Sequence, residues 1–148
     1  MLRCSIIGRV FLLWIAVAWL VQPSSATACL SYDPSAVRIT GVLVRETFPG
    51  PPGYESVRRG DQPETYWFLN VSPPLCLNED KTEPDLNPAL KDIRRIQLVF
   101  LDQTLYMKYK GLVGKRTVAT GTLFGAHTGH HHAPVLLTVA GLELPHGK

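Results

Sequence analysis

Residues 96–124, IQLVFLDQTLYMKYKGLVGKRTVATGTLF, change their hydrophobic period twice within one short stretch. Residues 96–100 form a short, mainly apolar run that predicts a strand, and residues 115–124 (KRTVATGTLF) predict another. Between them, four apolar residues repeat at the spacing of one helix face: Leu105, Tyr109, Leu112 and Val113. The stretch therefore predicts a strand, a short helix and a strand in succession.

The ends of this helix carry their own signals. Asp102 is well placed as the N-cap, because its carboxylate can accept a hydrogen bond from the first helical turn. Gly111 or Gly114 can end the helix. Gly121 lies in the middle of the following strand, where a glycine commonly marks a bend or a bulge.

Three further strands are predicted on either side of this stretch. Residues 37–45 (VRITGVLVR) are rich in β-branched side chains and are interrupted by Gly41. Residues 65–71 (TYWFLNV) form the second strand, which we expect to end at Pro73 and Pro74. Residues 135–144 supply the fifth strand.

Five strands with a helix between the third and the fourth match the plan of an OB-fold-like five-stranded barrel. The two mid-strand glycines agree with this, since a glycine lets a barrel strand curl without a side-chain clash. The alternative is an SH3-like barrel, whose helical turn usually lies between the last two strands. We expect residues 29–148 to form one mainly β domain, because 120 residues support a single modest core.

The second strand is aromatic on both faces. Tyr66 and Phe68 share one face, and Trp67 and Leu69 share the other. We expect the Tyr66 and Phe68 face to lie in the core. An exposed aromatic face would be a platform on which a base or a sugar ring could stack.

Two unusual loops indicate where a site would lie. Residues 46–64 are rich in proline and glycine, and residues 125–133 hold four of the five histidines. In OB-folds the loops between strands 1 and 2 and between strands 4 and 5 flank one ligand-binding face. The predicted site therefore combines residues from both loops: Tyr54, Arg58, Arg59, Glu64, His127, His130 and His132.

The charged residues of this set suggest distinct roles. Arg58 and Arg59 could hold an anion through charge-assisted hydrogen bonds, or form an ordinary wet loop. Glu64 could act as a ligand or a general base, or be a solvated carboxylate at the start of a strand.

The histidines suggest a metal site. His130 and His132 point to the same side of an extended chain, and His127 could complete a three-imidazole site for zinc or copper. The alternative is a polar hairpin loop in which the imidazoles only make hydrogen bonds.

The first 28 residues have the layout of a secretory signal peptide. Residues 1–9 are short and basic, residues 10–21 are apolar, and Ala26-Thr27-Ala28 is a small-x-small cleavage site. A run of twelve apolar residues is short for a membrane span of roughly 30 Å. We therefore expect export, to a periplasm or outside the cell, with no transmembrane segment in the mature chain.

Two cysteines remain after this segment. Cys29 and Cys76 make an even pair in a compartment where disulfides persist, so a bridge between them is predicted. The alternative is that Cys29 is the lipid-modified residue of a lipoprotein, although Ala26 stands where such sites generally carry Leu.

Charge and motifs exclude several classes of protein. The 15 Lys and Arg include Arg3 and Arg9, which leaves 13 basic against 12 acidic residues after position 28. Binding to nucleic acid is not expected, because phosphate neutralisation needs a basic surplus. The sequence also lacks the G-x-S-x-G, P-loop and H-E-x-x-H motifs.

Several short segments carry a resemblance to a known family: CLSY at 29–32, FPGPPGYES at 48–56, ETYW at 64–67, GKR at 114–116, GTLF at 121–124 and AHTGHHH at 126–132. The chain resembles the domain of unknown function 4431 family of small exported bacterial proteins over nearly all of residues 29–144. The resemblance brings no established activity. The family pattern usually has His where this sequence has Gly125, which implies that a role needing that imidazole is absent or altered here.

Three functions remain open. The first is a non-enzymatic exported module that binds a small ligand, an envelope protein or a metal between the 46–64 and 125–133 loops. This hypothesis predicts a concave surface between the loops. The second is a small metal-dependent hydrolase that uses the histidines. The third is a structural accessory subunit of a cell-envelope assembly, for which a filled surface is expected.

Overall fold

A computed structural model of the chain describes residues 28–146. The predicted signal peptide therefore lies outside the described residues, except for Ala28. The elements follow the predicted order: β1 (Ala36–Pro49), β2 (Pro63–Leu77), β3 (Leu90–Val99), α1 (Gln103–Tyr109), β4 (Arg116–Gly125) and β5 (Val135–Glu143). Short 3-10 turns lie at Val57–Arg59 and Lys110–Leu112.

The five strands close into a barrel in the order β1-β2-β3-β5-β4, with β4 pairing back onto β1. The β3 and β5 pair is parallel and the other pairs are antiparallel. With α1 between β3 and β4, this topology confirms the predicted OB-fold-like barrel over the SH3-like alternative.

Both mid-strand glycines lie where a neighbouring strand approaches closely. A Cβ on Gly41 would come within 2.5 Å of the Asn70 carbonyl oxygen on β2. A Cβ on Gly121 would overlap the carbonyl oxygen of Thr138 on β5, and the β4–β5 register shifts at Gly121. Both positions therefore bring two backbones closer than any side chain permits.

Strand β2 is longer than predicted and continues through Pro73 and Pro74 to Leu77. The prediction that the two prolines end the strand is wrong. The β2–β3 register shifts between Asn70 and Leu75, so the prolines fall in an irregular stretch. Proline is tolerated at such a bulge because no ladder hydrogen bond requires its missing N–H.

The face of β2 that was predicted to lie in the barrel core lies outside it, and the opposite face lies inside. Trp67 and Leu69 are buried in the core cluster, with the Trp67 ring 4.5 Å from that of Tyr106 on α1. Tyr66 and Phe68 alternate with them and point to the outer face. Phe68 is nonetheless buried, because the Arg95 guanidinium lies 3.7 Å from its ring centroid on that outer side.

Helix α1 starts as predicted. The Asp102 side chain accepts a hydrogen bond from the backbone N–H of Thr104 at 2.8 Å, which satisfies one otherwise free donor of the first turn. No helix within residues 28–146 is long and apolar enough to cross a membrane.

The predicted disulfide is present between Cys29 and Cys76, whose Cα atoms are 4.7 Å apart. It ties the segment before β1 to the end of β2. The backbone N–H of Leu30 donates to the Cys76 carbonyl oxygen at 2.8 Å beside it. In this arrangement the Cys29 thiol is not available for a lipid.

Candidate functional site

The fold brings the two predicted loops together on one side of the barrel. The first loop is shorter than the predicted 46–64, because β1 continues to Pro49 and β2 begins at Pro63, which leaves residues 50–62 between them. The second loop joins β4 and β5. Glu64, at the start of β2, lies 3.1 Å from His130 in the second loop, measured from Oε2 to Nδ1. Residues 66 positions apart in the sequence thus share one surface, as the OB topology requires.

Four side chains form what we call the junction cluster: Tyr54, Glu64, Tyr66 and His130. The Tyr66 hydroxyl donates to Glu64 Oε2 at 2.6 Å and lies 3.1 Å from His130 Nδ1. The Tyr54 ring meets the His130 ring edge-on at 5.9 Å, and half of the Tyr54 surface is exposed. Tyr66 was not among the predicted site residues, although its place two residues after Glu64 puts both on one face of the strand.

Glu64 gives the junction cluster a carboxylate whose pKa its neighbours lower. The hydrogen bond from Tyr66 lowers the pKa of the Glu64 carboxyl, and the bond with His130 lowers it further. Burial raises the pKa of the Tyr66 phenol, and the neighbouring Glu64 raises it further. The arrangement is a fixed carboxylate beside a protonated phenol, which suits a cationic or hydrogen-donating group.

His132 lies deeper than the junction cluster. Its ring stacks on Phe48 with the centroids 3.8 Å apart and the planes 5° from parallel. Burial is the main cause that lowers the pKa of His132, and the charges of His130 and Arg95 lower it further. The Glu64 carboxylate acts in the opposite direction.

Gln97 of β3 holds the backbone of residues 126–134, here called the histidine loop. Its side chain is 2% exposed; Nε2 donates to the His130 carbonyl oxygen at 3.0 Å and Oε1 accepts from the His132 N–H at 2.6 Å. Sequence reasoning missed both Gln97 and Phe48. Gln97 does leave a signal, since it is the one amide within the apolar run at 96–100.

His127 lies apart from the other two predicted metal ligands. Its backbone N–H donates to His131 Nδ1 at 3.0 Å, and its own Nδ1 donates to the Gly125 carbonyl oxygen at 3.0 Å. Both rings pack about 6 Å from that of Phe124. Burial, followed by the charges of the neighbouring imidazoles, lowers the pKa of His131.

A three-imidazole site for zinc or copper gains no support from this geometry. Within residues 28–146, no three His, Cys, Asp or Glu side chains are grouped so that they could hold a metal ion. The imidazoles have protein partners instead: His127 bonds the Gly125 carbonyl oxygen, His130 contacts Glu64, and His132 stacks on Phe48. The loop corresponds to the hydrogen-bonded alternative.

Arg58 and Arg59 do not join the junction cluster. They lie in the exposed 3-10 turn Val57–Arg59, and Arg59 forms an ion pair with Glu55 at 2.8 Å. An anion site that combines both arginines with the histidines is therefore not assembled in this structure.

Asp61 organises the first loop. Oδ1 accepts from the Gly53 N–H at 2.7 Å, and Oδ2 accepts from the N–H groups of Glu55 and Ser56 at 2.8 and 2.7 Å. These backbone hydrogen bonds, the one from Ser56 foremost, lower the pKa of the carboxyl. The carboxylate thereby fixes the backbone that carries Tyr54.

We expect Asp61→Asn to loosen this loop, because an amide offers one acceptor oxygen where the carboxylate offers two. In the wild type the ionised carboxylate makes these bonds, so they should be complete above a pH of about 4, the usual carboxyl pKa. They should be lost as the pH falls through the lower pKa of the folded state. Amide hydrogen exchange at Glu55 and Ser56 across this range measures both effects.

The matched control for that experiment is Asp85→Asn, which removes an exposed carboxylate from the 78–89 loop. It should leave exchange at Glu55 and Ser56 unchanged. Equal protection in Asp61→Asn and the wild type at pH 7 would contradict the assigned role.

The comparisons with known proteins add a family. Residues 95–143 match the model described as Domain of unknown function (DUF4431). These residues are similar to this family, and they make up less than half of the chain. The match confirms the resemblance for residues 95–143 and does not extend to residues 29–94. Comparison with curated proteins and comparison with solved structures each found no match.

The DUF4431 segment supplies only part of the site. It contributes Gln97, His130 and His132, whereas Tyr54 and Glu64 come from the chain before it. The candidate site therefore needs the β1–β2 hairpin as well as the matched segment.

Gly125 lies where a neighbouring loop leaves no room for a side chain. A Cβ at this position would overlap the carbonyl oxygen of Leu86, and the Gly125 N–H donates to Asn87 Oδ1 at 2.9 Å. The 78–89 loop thus occupies the space that a side chain would need. A histidine at position 125 requires that loop to move.

Proposed function

We propose that residues 29–148 form an exported, non-enzymatic OB-fold-like module that binds a small ligand or an envelope partner between the 46–64 and 125–133 loops. The observation that carries this proposal is the contact of Glu64 with His130, which joins both loops on the side where OB-folds bind ligands. Loops held on a rigid barrel are a common location for binding residues.

The chemistry of the junction cluster suggests what it binds. Glu64 provides a charge that its partners keep ionised, and Tyr54 provides an exposed ring against His130, which contacts Glu64. A carboxylate beside an aromatic ring favours a cation, through an ion pair and a cation–π contact. We therefore expect a cationic group at this position.

Export is supported by two independent features. The sequence before position 29 has the layout of a cleaved signal peptide, and the disulfide between Cys29 and Cys76 belongs to an oxidising compartment. Cleavage after Ala28 would make Cys29 the first residue of the mature chain.

One observation favours a structural role as a second candidate. The stacked rings of His132 and Phe48 and the Gln97 amide pack beneath the junction cluster. A filled surface is what an accessory subunit of an envelope assembly would present. The hydrolase hypothesis gains no such support, because its metal ligands do not converge.

Glu64→Gln tests the binding proposal with defined probes. Lysine amide, glucosamine and spermidine are titrated into 15N-labelled protein, and backbone shifts are followed. At least one probe should shift residues 50–64 and 126–132 in the wild type, and Glu64→Gln should weaken its binding about tenfold, since the ion pair is lost.

Glu55→Gln is the control, because it neutralises a carboxylate of the same loop that pairs with Arg59 instead of with the junction cluster. It should bind the probe like the wild type. If no probe shifts these residues, or if Glu64→Gln binds equally well, the structural candidate is favoured.

A further inference from the structure

The outer face of β1 and β2 carries an aromatic patch that the barrel core does not use. Its members are Phe48, Tyr66 and Phe68, and the Phe48 ring lies 6.2 Å from that of Tyr66 and 5.9 Å from that of Phe68. The core cluster takes the alternate residues Trp67 and Leu69 instead. An apolar patch on the outside of a sheet, where polar residues are usual, indicates a contact surface.

The histidine loop covers Phe48 and Tyr66 of this patch, and the Arg95 guanidinium covers Phe68. His132 lies on Phe48 as a parallel ring and also lies 5.0 Å from the Tyr66 ring. The histidine loop therefore occupies the patch in the way that a bound segment with a flat ring would.

Gln97 makes this surface selective for a peptide backbone. The amide is buried, and it uses its donor on the carbonyl of residue 130 and its acceptor on the N–H of residue 132. A buried amide left without these partners would be unfavourable, so any segment that replaces the loop has to offer a carbonyl and an N–H at this spacing.

The side chains on both sides of Gln97 extend this pattern. The side chain at position 130 faces Glu64 and the Tyr66 hydroxyl, and the ring at position 132 fills the slot against Phe48. The surface thus fits three consecutive residues of a peptide. The first has a basic side chain, the second can be any residue, and the third has a flat ring. The carboxylate of Glu64 makes the first position complementary to a positive charge.

The histidine loop lies outside the strand pairing of the barrel. The β4–β5 ladder reaches Gly125 paired with Val135, so residues 126–134 lie beyond it. The Ala126 N–H donates to the Pro134 carbonyl oxygen at 3.2 Å, which closes the base of the loop independently of the patch.

We propose that the patch of Phe48, Tyr66 and Phe68, together with Gln97 and Glu64, binds a peptide segment of a partner chain with the pattern basic residue, any residue, ring residue, in place of residues 130–132. This inference deepens the proposed function and rests on it through the shared Glu64. The histidine loop acts as an intramolecular competitor for the partner segment.

His132→Ala in the full mature chain tests this proposal, because it empties the ring slot and leaves the surface intact. The probe is a fluorescein-labelled peptide of residues 127–134, HTGHHHAP, with a blocked carboxyl end. Fluorescence anisotropy should show binding at least about tenfold tighter than to the wild type, since the tethered loop no longer competes fully. Replacing the final histidine of the peptide by alanine should remove that gain.

His127→Ala is the matched control, because this ring packs against Phe124 and His131 and does not touch the patch. It should bind the peptide like the wild type. His130→Ala loosens the loop from its exposed side and gives a second test, with tighter binding again expected. Trp67 is the one tryptophan after the signal segment, and its fluorescence reports whether each variant keeps the folded barrel.

Three results would overturn the proposal. Folded His132→Ala and His130→Ala could bind the peptide no better than the wild type. The alanine-substituted peptide could bind equally well, which would show no ring selectivity. An N-acetylglucosamine trimer could bind His132→Ala where the peptide does not, which would assign the patch to saccharides. The small-probe titration of Glu64→Gln is a separate measurement, so failure of the peptide test leaves the proposed function standing.

Discussion

Replacing Cys29 and Cys76 together by serine is expected to lower the free energy of unfolding by about 4 kcal/mol. The disulfide joins residues 47 positions apart, and without it the unfolded chain regains the conformational freedom that this long loop had lost. For a domain of this size that is a large fraction of the total stability. Urea unfolding followed by Trp67 fluorescence measures the change.

Reductant provides the control for the disulfide prediction. Dithiothreitol should destabilise the wild type by a similar amount and leave the double serine variant unchanged. The bond lies at the far end of β2 from Glu64, so variants that remain folded should keep the junction cluster. A double variant as stable as the oxidised wild type would show that other contacts hold residues 28–35 in place.

Gly121→Ala is expected to destabilise the barrel by about 3 kcal/mol. The added methyl group would overlap the Thr138 carbonyl oxygen, a backbone atom that cannot rotate away, so β4 and β5 would have to separate locally. These two strands also carry the histidine loop, and amide exchange in residues 126–134 should accelerate as well. Thermal unfolding and amide exchange measure the two effects.

Gly129→Ala is the matched control, because an added Cβ at the tip of the histidine loop meets nothing within 4 Å. Its stability should stay within about 0.5 kcal/mol of the wild type. Equal stability of Gly121→Ala and the wild type would contradict the close approach of β4 and β5.

The double serine variant and Gly121→Ala test the stability of the barrel, whereas two other variants test the binding surface. The disulfide acts on folding and leaves the junction cluster and Gln97 unaltered, whereas Gly121→Ala also loosens the loop that carries His130. Glu64→Gln and His132→Ala act on half-buried side chains of the surface. A change in binding without a loss of stability is therefore informative in the second pair.

Sequence periodicity predicted the barrel well because each element is short and clearly bounded. The helix stripe, the Asp102 cap and the two mid-strand glycines each gave a local signal that tertiary contacts reinforced. The end of β2 was predicted wrongly at Pro73 and Pro74, because proline ends a regular strand but is tolerated in a bulge. The bulge depends on how β3 pairs with β2. This pairing cannot be predicted from the sequence around the prolines.

The candidate site was predicted in part. The pairing of the 46–64 loop with the histidine loop follows from OB topology, and Glu64 and His130 do meet. Arg58, Arg59 and His127 do not join them, because each side chain finds a nearer partner or solvent. The spacing of residues along the chain indicates which side chains can approach one another. It does not indicate which of several possible partners a side chain contacts.

The amino-acid sequence alone determined the five strands, the helix between β3 and β4, the cysteine pair and the two loops that face each other. Only the tertiary structure decided which face of β2 lies inside, that His132 covers Phe48, and that Gln97 holds the histidine loop. The reason is physical: local patterns set each backbone element through propensity and alternation, whereas burial depends on what the other strands bring against each face. Both faces of β2 are apolar enough to be buried. Which of them lies inside the barrel is therefore set by the packing of the other strands.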